Sequence, residues 1–119
     1  MDKFHYDELL DRRRRWYKTV WKVYCPCLKT DVIFNSRGFR HLIYDSRGEL
    51  RTLADSARRL NMLPSAIPII KYAKSVNEHR FQGNSEYWEL LGKNHDEGTR
   101  IGVVLRKTGS GQIIFLSIM

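Results

Sequence analysis

The chain has 119 residues and a formal charge of +8, from 21 Lys and Arg against 13 Asp and Glu. That length suits one domain with a single core and does not ask for a second. The basic balance, with Arg the commoner cation, points to a polyanionic partner such as RNA, DNA or an acidic protein without choosing among them. The start MDKFHYDELL is charged from its second residue, and no apolar run approaches the ~18 residues that span a bilayer. A cytoplasmic protein with no secretory signal and no membrane association is therefore expected.

Residues 4–24 carry two adjacent apolar stripes, Leu9, Trp16, Val20, Val23 and Leu10, Tyr17, Trp21, Tyr24, which suits a broad-faced helix. Because residues 19–24 are β-branched and aromatic, a helix ending near Lys18 and running into a strand reads almost as well. The arginine run at 12–15 is either a partner-contacting arm or a solvated segment partly balanced by Asp7, Glu8 and Asp11. Pro26 then interrupts regular structure. Cys25 and Cys27 flank it, too close for an ordinary disulfide, so free thiols in a reducing compartment are expected. Residues 30–34 read as a short strand.

The stretch NSRGFRHLIY at 35–44 organises the rest. Asn35 and Ser36 offer N-cap side chains to a short helix anchored by Phe39, Leu42 and Ile43 at i, i+3 and i+4. The 100° step per residue gathers Arg37, His41 and Tyr44 on the opposite face, with Arg40 beside them. An imidazole among guanidinium groups and a phenol is what phosphodiester cleavage requires. The same face also reads as a solvated basic surface with an incidental histidine.

Residues 45–51, with Ser46 and Gly48, form a turn. From Thr52 a second helix shows Leu53, Ala57 and Leu60 on one face and stops at Pro64, with Arg58 and Arg59 outside or at its edge. Ser65 can cap a third short helix that buries Ile69, Ile70 and Ala73 and tolerates Pro68 in its first turn. Both look like scaffold. Strand patterns follow at 76–81, 87–91, 100–107 and 112–118, separated by turns at 82–85, 92–98 and 108–111. The expected fold is α+β, with N-terminal helices packed on a C-terminal antiparallel sheet of about four strands.

The register of the last hairpin decides which polar groups share a face. A four-residue loop at 108–111 sets Arg106 opposite Ile113 and Gly102 opposite Ser117, so Arg106 and Ser117 look the same way; a three-residue loop puts Lys107 in place of Arg106. Either register leaves one cation and one hydroxyl together. Tyr87 and Trp88 point to opposite faces of their strand, one into the core and the other free to stack on a base. Trp88 is the core choice.

No metal and no cofactor are expected. Cys25 and Cys27 supply at most two zinc ligands, and of the acids Glu86, Glu89, Asp96 and Glu97, the first two fall on opposite faces of a strand. The GSG at 109–111 precedes no helix, so it is a hairpin turn and not a phosphate cradle. His5, His79 and His95 read as surface residues.

The order of GFRHL at 38–42, ARRLNMLP at 57–64, EYW at 86–88, VVLRK at 103–107 and FLSIM at 115–119 resembles the phage-associated branch of the barnase, EndoU, colicin and RelE-like nuclease superfamily. The resemblance covers residues 30–119 as a nuclease-like core and leaves 1–29 as an N-terminal helical, basic arm. It implies a metal-independent endoribonuclease, often a toxin with an acidic antitoxin or immunity-type partner, that cuts RNA to a 2′,3′-cyclic phosphate. Carried over by position, His41 is the acid/base group, Arg106 the phosphate ligand and Ser117 a hydrogen-bond donor. Arg40 is a second cation, and Arg37, Lys107 and Tyr87 join the RNA-binding set. Relatives often pair the helix histidine with another His or Arg a few residues on, whereas Leu42 to Tyr44 intervene here. The second acid/base residue is then Tyr44, Arg37 or Tyr87. The competing class is a non-catalytic basic domain that holds nucleic acid or a protein and makes no demand on His41.

Overall fold

A computed structural model describes residues 2–93 and 98–119 of the chain. Its elements are α1 (Lys3–Val20), β1 (Lys22–Cys25), β2 (Thr30–Ile33), α2 (Ser36–Ile43), α3 (Leu53–Met62), a 3-10 turn at Leu63–Ser65, α4 (Ala66–Tyr72), β3 (Glu78–Gln82), β4 (Ser85–Lys93), β5 (Arg100–Thr108) and β6 (Ile114–Ile118). His95, Asp96 and Glu97, and most of the turn expected at 92–98, lie outside the described residues.

The sheet corrects the expected architecture. It has six strands in the order β1-β2-β6-β5-β4-β3, and it is mixed: β2 runs parallel to β6 while every other pair is antiparallel. Helices are interspersed with strands along the chain and do not all precede them. The physical cause is the hairpin at Lys22–Ile33, which adds two strands to the sheet edge by a single in-register pair, Ile33 with Ile114. The helix expected over 4–24 therefore stops at Val20, and Trp21 turns the chain into β1. Ser65 lies within helical backbone and makes no side-chain cap, because the 3-10 turn runs straight into α4.

Strand alternation gives the sheet two unlike faces. Trp88, Leu90, Val103, Leu105, Phe115 and Ile118 are buried in the main core. α4 lies against this face at Gly92, where a Cβ would stand 2.4 Å from the Ile69 side chain. The other face carries Arg80, Tyr87, Arg106 and Ile114 as one row of cross-strand neighbours.

α1 and α2 close the end of the core beside β6. Tyr17 packs against Phe34, Phe39 and Phe115, with ring centroids 5.2 to 6.3 Å apart. A buried hydroxyl chain ties three helices together: Tyr6 donates to Ser56 Oγ at 2.8 Å, and Ser56 donates to the Leu42 carbonyl at 2.8 Å. Each polar atom in that chain has a partner, so burying it costs little.

Candidate active site

α2 forms where the sequence placed it, and for the reason given. Asn35 Oδ1 accepts from the amides of Arg37 (3.1 Å) and Gly38 (3.4 Å), and Phe39 and Leu42 turn into the core. Gly38 sets how close the helix comes to the sheet. A Cβ there would lie 2.3 Å from the Phe115 carbonyl oxygen and 2.7 Å from the Tyr17 hydroxyl, so only glycine allows this approach to β6. The approach carries His41, one turn later, toward the polar side of the last two strands.

His41 is half-buried and surrounded by positive charge. Burial lowers its pKa below the ordinary 6.5, and Arg106, Arg51, Arg37 and Arg59 lower it further. Burial and charge both favour the neutral imidazole, the form that accepts a proton. Arg37 and Arg106 share the wall of a cleft of about 350 Å³ with Asn35, Ser36 and Thr108. The Nε of Arg106 is buried and has no hydrogen-bond partner among the described residues.

The hairpin that supplies Arg106 and Ser117 begins in the register of the three-residue loop, the one expected to set Lys107 beside Ser117, and then departs from it. Arg106 pairs with Ile114 and Leu105 with Phe115; continued regularly, this would leave Ser117 on the face away from Arg106. A β-bulge intervenes between Val104 and Leu105, where the pairing skips Leu116, and Ser117 falls opposite Val104. Val104 and Arg106 share a face of β5. The bulge thereby returns the hydroxyl to the side of the guanidinium.

Arg59 and Asp55 are part of this site, although the sequence reading left them as scaffold. Arg59 Nη1 donates to the Ile118 carbonyl at 2.8 Å and makes a longer contact of 3.4 Å to Ser117 Oγ. Asp55 binds Arg51, Arg58 and Arg59 together, at 3.2, 2.8 and 3.3 Å. Burial raises the pKa of this carboxyl, but its bonds to Arg58, Arg59 and Arg51 outweigh that and hold it low. One carboxylate thus balances three guanidinium groups, and the surplus charge faces His41. The signal was present in part as the i,i+4 step Asp55–Arg59 within α3, whereas Arg51 precedes the helix and reaches Asp55 from outside it.

The remaining candidates divide between two sides of α2. Tyr87 is in register with Arg106 and has the Arg80 guanidinium 4.3 Å from its ring centroid. Tyr44 follows the helix in extended backbone, and its ring lies beneath Arg40 at 4.4 Å, on the side of α2 that faces α1. Tyr44 and Arg40 are therefore not gathered with Arg106. Lys107 alternates to the other face of β5, where it pairs with Glu86 and lines a recess with Lys22 and Asp31. Among the described residues, no three His, Cys, Asp or Glu side chains cluster closely enough to hold a metal ion, and no helix is long and apolar enough to cross a membrane. Comparison with family models, with curated proteins and with solved structures gives no match for this chain.

Proposed function

We propose that the protein is an endoribonuclease that cleaves RNA by internal attack of a 2′-hydroxyl on the neighbouring phosphorus. The observation that carries this reading is the half-buried imidazole of His41 set among Arg106, Arg51, Arg37 and Arg59, which with burial lower its pKa. A phosphodiester brings a negative charge to this ring of arginines, and the orphaned Arg106 Nε is a donor that a phosphoryl oxygen satisfies. Ser117, fixed by Arg59, offers a second donor.

In the reaction, His41 takes the proton of the 2′-hydroxyl as O2′ bonds to phosphorus. The bond to the 5′-oxygen breaks, and that oxygen leaves with a proton donated by Tyr87, the phenol in register with Arg106. The products are a 2′,3′-cyclic phosphate and a free 5′-hydroxyl. General base catalysis by the imidazole contributes ~10²–10⁴-fold, and fixed donors to the phosphoryl oxygens contribute a further ~10²–10³-fold each. Neutralising the arginine charge also raises the affinity of His41 for the proton it takes. No step calls for a metal ion. An acidic protein of the antitoxin or immunity type would meet the same arginines.

The test is incubation with structured and unstructured RNA in excess chelator, with the new termini identified by mass spectrometry. Cleavage to 2′,3′-cyclic ends, lost on His41→Ala and on 2′-O-methylation of the substrate, supports the reading. Intact RNA at high protein concentration, or equal cutting by His41→Ala, leaves a basic domain that binds without turnover. Such binding would survive His41→Ala and weaken steeply with salt.

A further inference from the structure

We propose that the groove between α1 and α2 holds unpaired bases of the RNA strand next to the cut, which makes the protein selective for single-stranded over duplex RNA. The place of the groove beside a cleavage point rests on the ribonuclease reading; the binding does not. The groove encloses about 940 Å³, in the range of clefts that take nucleotide-sized ligands. Its floor is apolar, from Leu10, Phe39 and Ile43. Arg14, Lys18 and Arg40 stand along it, and none of the described residues lining it is acidic.

Two cations already lie over aromatic rings here, Arg14 over Phe39 at 5.4 Å and Arg40 over Tyr44 at 4.4 Å. An occupant must combine flat apolar surface with regularly spaced negative charge, which is the description of an unstacked polynucleotide. A duplex turns its base faces inward and would meet only the cations.

Trp21 supplies a platform at the lip. Its side chain is 65 % exposed, and its backbone sits at φ 57°, ψ −64°, a corner that bulky residues rarely adopt. The Trp21 carbonyl accepts from the Phe34 amide at 2.7 Å, which fixes that conformation. Strain of this kind persists where the surrounding structure imposes it, commonly at binding sites. The groove also runs into the cleft that holds Arg106, because Asn35, Ser36 and Arg37 line both. A strand seated in the groove continues past the N-terminus of α2 to the phosphate ligand.

The experiment uses the full chain and a short fluorescent 2′-O-methyl oligonucleotide, which binds but lacks the attacking hydroxyl. Binding is measured for the single strand, for the same sequence in duplex, and in competition with poly-glutamate. The single strand is expected to bind on the order of tenfold more tightly than the duplex and to quench tryptophan fluorescence. Arg14→Ala, Lys18→Ala and Trp21→Leu are expected to weaken it several-fold, and Lys71→Ala, on α4, is not. The surface changes Arg14→Ala and Lys18→Ala keep the test valid should Trp21→Leu fail to fold. Equal affinity for duplex and single strand, equal competition by poly-glutamate, or groove variants that bind like Lys71→Ala would overturn the proposal. Those results alongside His41-dependent cleavage remove the groove alone, whereas groove-dependent binding without any cleavage removes the nuclease alone.

Discussion

The main-chain oxygen of His41 accepts a hydrogen bond from Arg51 Nε at 2.9 Å, and the same guanidinium holds Asp55 at 3.2 Å. Asp55 in turn holds Arg59, which reaches Ser117 and the Ile118 carbonyl. A continuous polar chain therefore runs from the helix bearing the imidazole to the strand bearing the hydroxyl. Asp55 is the anion in it, and the Arg51 and Arg59 side chains beside it are only 13 % and 12 % exposed. Replacing it with Asn leaves two nearly buried cations without a counter-charge. Asp55→Asn is expected to lower unfolding free energy by about 3 kcal/mol, read from urea denaturation, and to reduce RNA cleavage with it.

The pH dependence follows from the direction of the His41 shift. Its folded-state pKa lies below 6.5, so kcat/KM on RNA rises with pH along an acid limb whose midpoint is lower than 6.5. Among the charges that depress it, Arg106 is the strongest. Arg106→Gln is expected to move the His41 imidazole titration upward, as followed by NMR. The same shift bears on stability. Unfolded chains bind this proton at higher pH than folded ones, so the contribution is complete above 6.5 and is lost as pH falls through the folded value. A titration midpoint at or above 6.5 would contradict the arrangement.

Tyr87 can be separated from a mere packing role by the leaving group. Tyr87→Phe is expected to slow cleavage of RNA by at least ~10²-fold, the usual scale for loss of a general acid. A uridine 3′-phosphate ester of p-nitrophenol needs no proton on departure, and its cleavage should be nearly unaffected. Equal losses on both substrates would assign the proton to another group.

Gly38→Ala tests the approach of α2 to β6. The added methyl would meet the Phe115 carbonyl, a backbone atom that cannot rotate away. The helix must lift, at a cost of roughly 1–3 kcal/mol, and the imidazole lifts with it. A drop in thermal midpoint together with a fall in kcat is the expected pair of results.

α2 was legible because local rules decide it: an Asn cap, then apolar residues at i, i+3 and i+4. The four strands after residue 76 were legible for a similar reason, since glycine turns and alternation mark each one. β1 and β2 were only half legible. Each is four residues long, and their place in the sheet depends on one pair, Ile33 with Ile114, about 80 residues apart in the chain. That Arg106, and not Lys107, shares a face with Ser117 was one of two expectations, and it comes about through a bulge instead of the regular four-residue hairpin on which it was based. Nothing marks Leu116 as a bulge, because an apolar residue in an apolar strand satisfies either parity. Arg59 was passed over because a cation at a helix edge looks solvated until the neighbouring strand end is in place.

The extra residue at Leu116 acts as a parity switch for the whole carboxyl-terminal end. With Leu116 present, a β5–β6 ladder that zipped without the bulge would set Leu116 opposite Val104 and present an apolar side chain where the alcohol now stands. A chain without Leu116 would keep Ser117 opposite Val104 and Ile118 opposite Val103 in a regular ladder, so it is the bulge that offsets the extra residue and holds the alcohol on its side.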